Sequence, residues 1–255
     1  MIRGFLLAVQ FFTAVPVRRN LPIGRRETVW MFTLYPAVGA LIGLAAWGAS
    51  FLLSGPAGTG SFLSAFAAVL LFAVLSGGLH LDGWADTGDA FFSYRDREKR
   101  LEILGDPRIG AFGTMALLFL VAGKLAVLNE LISRGGLGWV HFMIVPFAAR
   151  AGLAMFYGTV PTAKDSGLLA FLKKRADGMQ VVVPGLLVLI AGLAAAGLFI
   201  GTPEVPLAIL AAILAAVFLS GRWAVRHFGG ATGDLAGAFV EGSELLLWIV
   251  LLFFI

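Results

Sequence analysis

"LFAVLSGGLHLDGWADTGDAFFSYRDREKR", residues 71–100, starts as an apolar helix and then places four aspartates, a histidine and four basic residues in a short space. Asp82, Asp86 and Asp89 stand at i, i+4 and i+7, which on a helix puts them within an arc of roughly 60°. Carboxylates crowded on one face repel each other unless a cation lies between them. Their hard oxygens suit Mg²⁺ or Mn²⁺, and Mg²⁺ is commonly held by one or two carboxylates plus substrate phosphates. Their immediate neighbours are Gly, Trp, Ala and Phe, so the triad sits at an apolar boundary where unpaired charge is expensive. Gly83 and Gly88 would let a phosphate or another backbone approach closely. His80 reads as an interfacial hydrogen bonder, a base or a support for a metal ligand. The run that follows, with Asp96, Glu98 and Glu102 among Arg95, Arg97, Lys99 and Arg100, reads instead as a solvated loop.

Composition sets the solvent around this stretch. The 255 residues are 59% hydrophobic and only 13% charged, with a mean hydropathy of +0.92. A soluble domain of this length needs more charged surface than that, so the chain reads as an integral membrane protein. The net charge of +4 is accounted for by topology-setting and lipid-facing lysines and arginines, and no nucleic-acid partner is expected. There is no cysteine, which removes disulfides and thiolate metal sites.

About seven windows are long and apolar enough to span a bilayer: approximately 30–53, 61–79, 114–133, 137–158, 180–200, 205–225 and 240–255. The last is short, and its helix is expected to begin near Ala236. The opening "MIRGFLLAVQFFTAVPVRRN" lacks a small-residue cleavage site and reads as an uncleaved interfacial or re-entrant segment. Loops 16–29, 80–113 and 159–179 hold most of the basic residues, while "SGPAGTG", "SRGGLG" and "GTPEVP" are nearly bare. That alternation places the basic loops, together with 226–240, on the cytoplasmic side. The expectation is one all-α membrane domain over 1–255, with acidic loops around 80–113 and 226–244 and glycine-rich helix faces compatible with a homo-oligomer.

A second acidic group lies in "GGATGDLAGAFVEGSE", residues 229–244, where Asp234, Glu241 and Glu244 fall within roughly 80° of one another on a helix. Thr-Gly-Asp occurs at 232–234 and at 87–89, which suggests two acidic helix mouths on one side. Lys124 and Arg150 lie inside expected spans and need partners in the bundle interior. Cations facing an acid-bound metal are what a pyrophosphate requires, and Arg108 in "GDPRIGAFG" is the best-placed loop candidate.

"GGLHLDGWADTGDAF" followed by "DREKRLEILGDPRIGAFG" resembles the cobalamin synthase family, the adenosylcobinamide-GDP ribazoletransferases or cobalamin-5′-phosphate synthases. "QFFTAVPV" at 10–17, "YPAVGALIG" at 35–43 and "GGATGDLAGAFVEGSE" are similar to further motifs of that family, so the resemblance covers essentially the whole chain. Ala90, Gly105 and Pro107 depart from its pattern where Gly, a basic residue and Ser are usual. The resemblance implies attack of α-ribazole, or its 5′-phosphate, on adenosylcobinamide-GDP with release of GMP. It also implies Mg²⁺ dependence and a bacterial or archaeal inner-membrane setting among membrane lipids, late in vitamin B12 synthesis. On this reading Asp82, Asp86 and Asp89 hold Mg²⁺, with Asp89 or His80 as base. Arg95, Arg108 and Lys124 face phosphate oxygens, and Asp234 and Glu241 complete the acidic side.

Two other classes remain open at this point. A CDP-alcohol phosphotransferase also displaces a nucleoside monophosphate with spaced acids, but here Asp86 stands where its motif has Arg. A secondary transporter would place its acids near the bilayer midplane rather than at helix mouths.

Overall fold

Gly77 and Gly78 decide how the quoted stretch runs. Both hold positive φ, 66° and 71°, a backbone region that glycine enters without a Cβ penalty. In the computed structural model, which describes all 255 residues, they separate α3 (Ser61–Leu75) from α4 (Leu79–Phe92), and the chain bends there by 90°. The window expected at 61–79 therefore ends early, and the three aspartates lie on a separate helix.

The other helices are α1 (Ile2–Phe12), α2 (Arg25–Ser54), α5 (Arg97–Ile103), α6 (Ala111–Arg134), α7 (Trp139–Thr159), α8 (Leu168–Lys173), α9 (Gly178–Ile200), α10 (Glu204–Phe228) and α11 (Gly233–Leu251). Five of them, α2, α6, α7, α9 and α10, are long and apolar enough to cross a membrane, and the bent pair α3–α4 makes six if it counts as one span. The sequence windows numbered about seven. The seventh window is helical, as α11, but Asp234, Glu241 and Glu244 interrupt its apolar run. At 11 residues α1 is too short to span; it packs Gly4 against Trp30 of α2. The expected solvated loop after the triad contains α5, capped by Asp96, whose carboxylate accepts from Lys99 N at 2.9 Å.

Polarity is turned inside out relative to a soluble bundle. Leu198 and Phe199 on α9, Phe119 on α6 and Leu219 on α10 are exposed, while Lys124, Arg150, Glu241 and Glu244 are buried. Lipid accepts the former, and the latter need partners inside.

α7 is the central helix, with 78% of its apolar window buried. Gly39 and Gly43 of α2 lie directly on its backbone at Pro146 and Phe142, a small-xxx-small contact that lets two helices approach closely. Gly158 of α7 and Gly178 of α9 meet in the same way. These glycines, read from sequence as compatible with self-association, are engaged within the chain. A Cβ on Gly43 would run into the Phe142 carbonyl, so Gly43→Val is expected to cost about 1–3 kcal/mol. The control is Gly48→Ala, where nothing lies within 4 Å. Thermal unfolding in detergent should separate the two, and equal midpoints would contradict the close approach.

Candidate active site

α4, at 14 residues too short to span alone, lies across the first turns of two neighbours, α6 and α11. Gly83 touches the backbone of Asp234 at the start of α11, and Gly88 packs on Gly113 and Ala116 at the start of α6. Any side chain at Gly83 would push the two helices apart, so the spacing of small residues sets how closely the acids of α4 and α11 meet.

The three aspartates of α4 have different surroundings. Asp89 is tied down, its carboxylate accepting from Gly110 N at 2.6 Å and Gly113 N at 2.8 Å. It thus caps the N-terminus of α6, where free N–H groups and the helix dipole favour an anion. Asp86 is partly buried, and burial, followed by the charges of Asp82, Asp234 and Asp89, pushes its carboxyl up to about 7. Asp82 is exposed and, with Asp234, lines a cavity of about 400 Å³ that also includes His80, Lys164 and Thr232.

Asp234 is set by α11's own start. Thr232 is the N-cap, its Oγ1 accepting from Leu235 N at 3.2 Å and donating to Asp234 Oδ2 at 3.3 Å. By contrast Thr87-Gly88-Asp89 lies within α4, so the repeated triplet marks two unrelated geometries. Lys164 reaches the site through a short backbone pairing in which Ala231 N donates to Pro161 O at 2.7 Å and Ala163 N to Ala231 O at 2.9 Å. Its Nζ donates to Leu101 O at 2.5 Å. Sequence reading counted Lys164 only as a topology charge. Nothing local distinguishes it, because its place depends on a contact with residues nearly seventy positions away.

The expected cations are elsewhere. Arg108 forks onto Asp106, with Nε to Oδ1 at 2.9 Å and Nη2 to Oδ2 at 2.7 Å, and holds that carboxyl down at about 2. Arg95 is exposed, and neither arginine lines the cavity. Arg97 Nε donates to Phe228 O at 2.9 Å, placing a cation on the C-terminal end of α10.

Lys124 and Glu241, expected on the phosphate side and the acidic rim, face each other in the interior. Lys124 Nζ lies 2.5 Å from Glu241 Oε2 and 2.6 Å from Glu244 Oε2, and Arg150 Nη1 lies 2.5 Å from Glu244 Oε1. Four charges on α6, α7 and α11 thus cancel in one buried cluster. His80, also buried, bonds Tyr35 of α2, with Nε2 2.8 Å from the hydroxyl. Its Nδ1 is buried with no partner.

The cobalamin-5-phosphate synthase family model matches residues 4–252. The chain belongs to this family. Adenosylcobinamide-GDP ribazoletransferases are similar to it along their length: that of Geobacillus kaustophilus is 37% identical over 97% of this chain and 94% of its own. That of Clostridioides difficile is 33% identical over 99% of both chains, and that of Escherichia coli O7:K1 is 33% identical over 99% of this chain and 100% of its own. No solved structure matches. Within this family member, the acids that meet at the cavity come from α4 and α11, the two segments that carry its most recognisable motifs.

The donor set of Asp82, Asp86 and Asp234 fits a hard divalent cation in charge and chemistry, because neighbouring carboxylates repel one another and a cation relieves that repulsion. The side chains as they stand do not gather three acids around one point, so the fit is one of charge and donor type.

Proposed function

We propose that the protein transfers the adenosylcobinamide phosphate group from adenosylcobinamide-GDP to α-ribazole or its 5′-phosphate, releasing GMP. The observation that carries this reading is the meeting of Asp82, Asp234 and Lys164 in the lining of one cavity, with Asp86 near enough to feel the charges of Asp82 and Asp234. An acceptor hydroxyl attacks the cobinamide-side phosphorus, a new P–O bond forms, and the P–O bond to GMP breaks. Mg²⁺, held by Asp82, Asp86 and Asp234, would neutralise pyrophosphate oxygens when bound. Lys164 offers the leaving phosphate a cation. Asp234, oriented by Thr232, takes the proton of the attacking hydroxyl. Asp89 positions α4 against α6 rather than touching substrate. Purified protein given both substrates should yield GMP and cobalamin, or cobalamin 5′-phosphate, by mass spectrometry, and the yield should collapse on chelation of Mg²⁺. Equal yield with and without chelator would remove the metal from this reading.

The same reading places the site on the cytoplasmic side of the inner membrane, supported by the basic residues of loops 16–29, 80–113 and 159–179. Because the chain lacks cysteine, single cysteines report orientation cleanly. In intact cells Ala57→Cys should react with a membrane-impermeant maleimide and Tyr94→Cys should not; the reverse pattern would invert the topology.

A further inference from the structure

Leu214, Val217, Phe218, Arg222, Val225 and Arg226 recur at the spacing of one helix face and line a groove of about 530 Å³ beside α10. Its floor is Thr159, Val160 and Pro161, where α7 ends. The groove divides by polarity along its length. Leu214, Val217 and Phe218 make one end apolar, while Arg222 and Arg226, both exposed, stand one helical turn apart at the other. No carboxylate lines it. Neither guanidinium has a hydrogen-bond or ion-pair partner, in contrast with Arg108 and Arg134, each of which is held by an acid. Arg222 instead leans along the groove, with Cζ 5.4 Å from the centre of the Phe218 ring. Like charges four residues apart on a helix repel, and an anion between them removes that cost. The planar fork of arginine matches phosphate oxygens.

The length of the groove says what else the anion carries. α10 is one of the helices long and apolar enough to cross a membrane, and Arg226 lies in its last turn. From Leu214 to Arg226 the helix rises about 18 Å, a little over half the roughly 30 Å hydrocarbon core of a bilayer. The apolar end therefore runs through one leaflet, and the charged end meets the water boundary. A transmembrane helix of another protein would need small residues for close approach. Here the rims are Leu, Val and Phe, and at the one small position, Gly221, a Cβ would stand 3.0 Å from Val160, so α7 already occupies it.

We propose that this groove binds an anionic phospholipid, its phosphate held between Arg222 and Arg226 and one acyl chain lying along Phe218, Val217 and Leu214. Basic pockets beside transmembrane helices are suited to such headgroups. The site shares no residue with the acid-lined cavity and does not rest on the transferase reading.

The lack of cysteine allows a local test. A bimane fluorophore is placed on Leu214→Cys, inside the groove, and separately on Leu187→Cys, exposed on α9 and outside it. The full chain is held in phosphatidylcholine bilayers containing a small share of a lipid with brominated chains. Brominated phosphatidylglycerol should quench the Leu214→Cys probe at about a tenfold lower share than brominated phosphatidylcholine, and the two lipids should quench alike at Leu187→Cys. Adding Arg222→Gln and Arg226→Gln should erase the preference, and a large excess of free glycerol phosphate should leave the quenching in place. Equal quenching by both lipids at Leu214→Cys, the same preference at Leu187→Cys, or a preference that survives loss of both arginines would overturn the assignment. Relief by free glycerol phosphate would make the groove a site for soluble anions, and no quenching by either lipid would show it filled by protein, a second copy included; both results would overturn it too. The two-lipid comparison at two positions needs no arginine variant, so it decides the question even if those variants fail to fold. None of these outcomes bears on GMP release.

Discussion

Asp82→Asn lowers GMP release by about 10²–10³-fold at saturating substrates, the scale expected when one charged group is removed from a site that stabilises developing phosphate charge. Asp82 is the exposed member of the acid set and lines the cavity, and no hydrogen bond or ion pair of its side chain would be broken by the change. Losing it removes one ligand for the cation and one wall of the mouth. Loss of activity with the thermal midpoint preserved is therefore expected, and the amide keeps the size of the carboxylate. A second readout follows from charge alone. The Asp82 carboxylate helps push the Asp86 carboxyl up to about 7, so its removal should bring Asp86 down towards the ordinary carboxylate range. Turnover within about threefold of wild type at saturating Mg²⁺ would take Asp82 out of the reaction.

Lys124→Met is expected to act in the opposite manner, on the fold before the chemistry. Lys124 is 3% exposed and is shared by Glu241 and Glu244, themselves 5% and 2% exposed. Without it two carboxylates remain in the interior with Arg150 as the one cation paired to them. Removing one partner from a buried ion-pair group costs about 3–5 kcal/mol, mostly from the charge left behind. Thermal unfolding in detergent should show a large drop, and adding Glu241→Gln should recover part of it because the stranded charge goes too. If Lys124 instead bound substrate phosphate, Lys124→Met would keep its thermal midpoint and lose activity. The two measurements on one variant separate these roles.

What sequence spacing could and could not reveal follows from the range of the contacts involved. Asp82, Asp86 and Asp89 share a helix face because i, i+4 and i+7 are local relations, and α4 forms over the segment that carries them. Local spacing could not reveal that Gly77 and Gly78 would turn that helix through 90°, nor that Asp89 would be captured by the first turn of α6. Lys124 and Glu241 were visible as charges out of place in apolar surroundings, but their mutual pairing spans 117 positions. Lys164 left no trace because its role arises from a backbone pairing between distant loops. Arg108 shows how a near neighbour alters the picture. It looked free to meet phosphate, yet Asp106, two residues away, holds it.

The pairing of Pro161 and Ala163 with Ala231 also has a mechanical side. It joins the segment carrying Lys164 to the segment that begins α11, and Thr232, the cap of that helix, is the very next residue. The cation and Asp234 are thus mounted on one plate. Gly83 rests against that same start, so α4 and its acids are referenced to the same backbone. The distance between the cation and the carboxylates is therefore set by main-chain contacts rather than by the reach of flexible side chains.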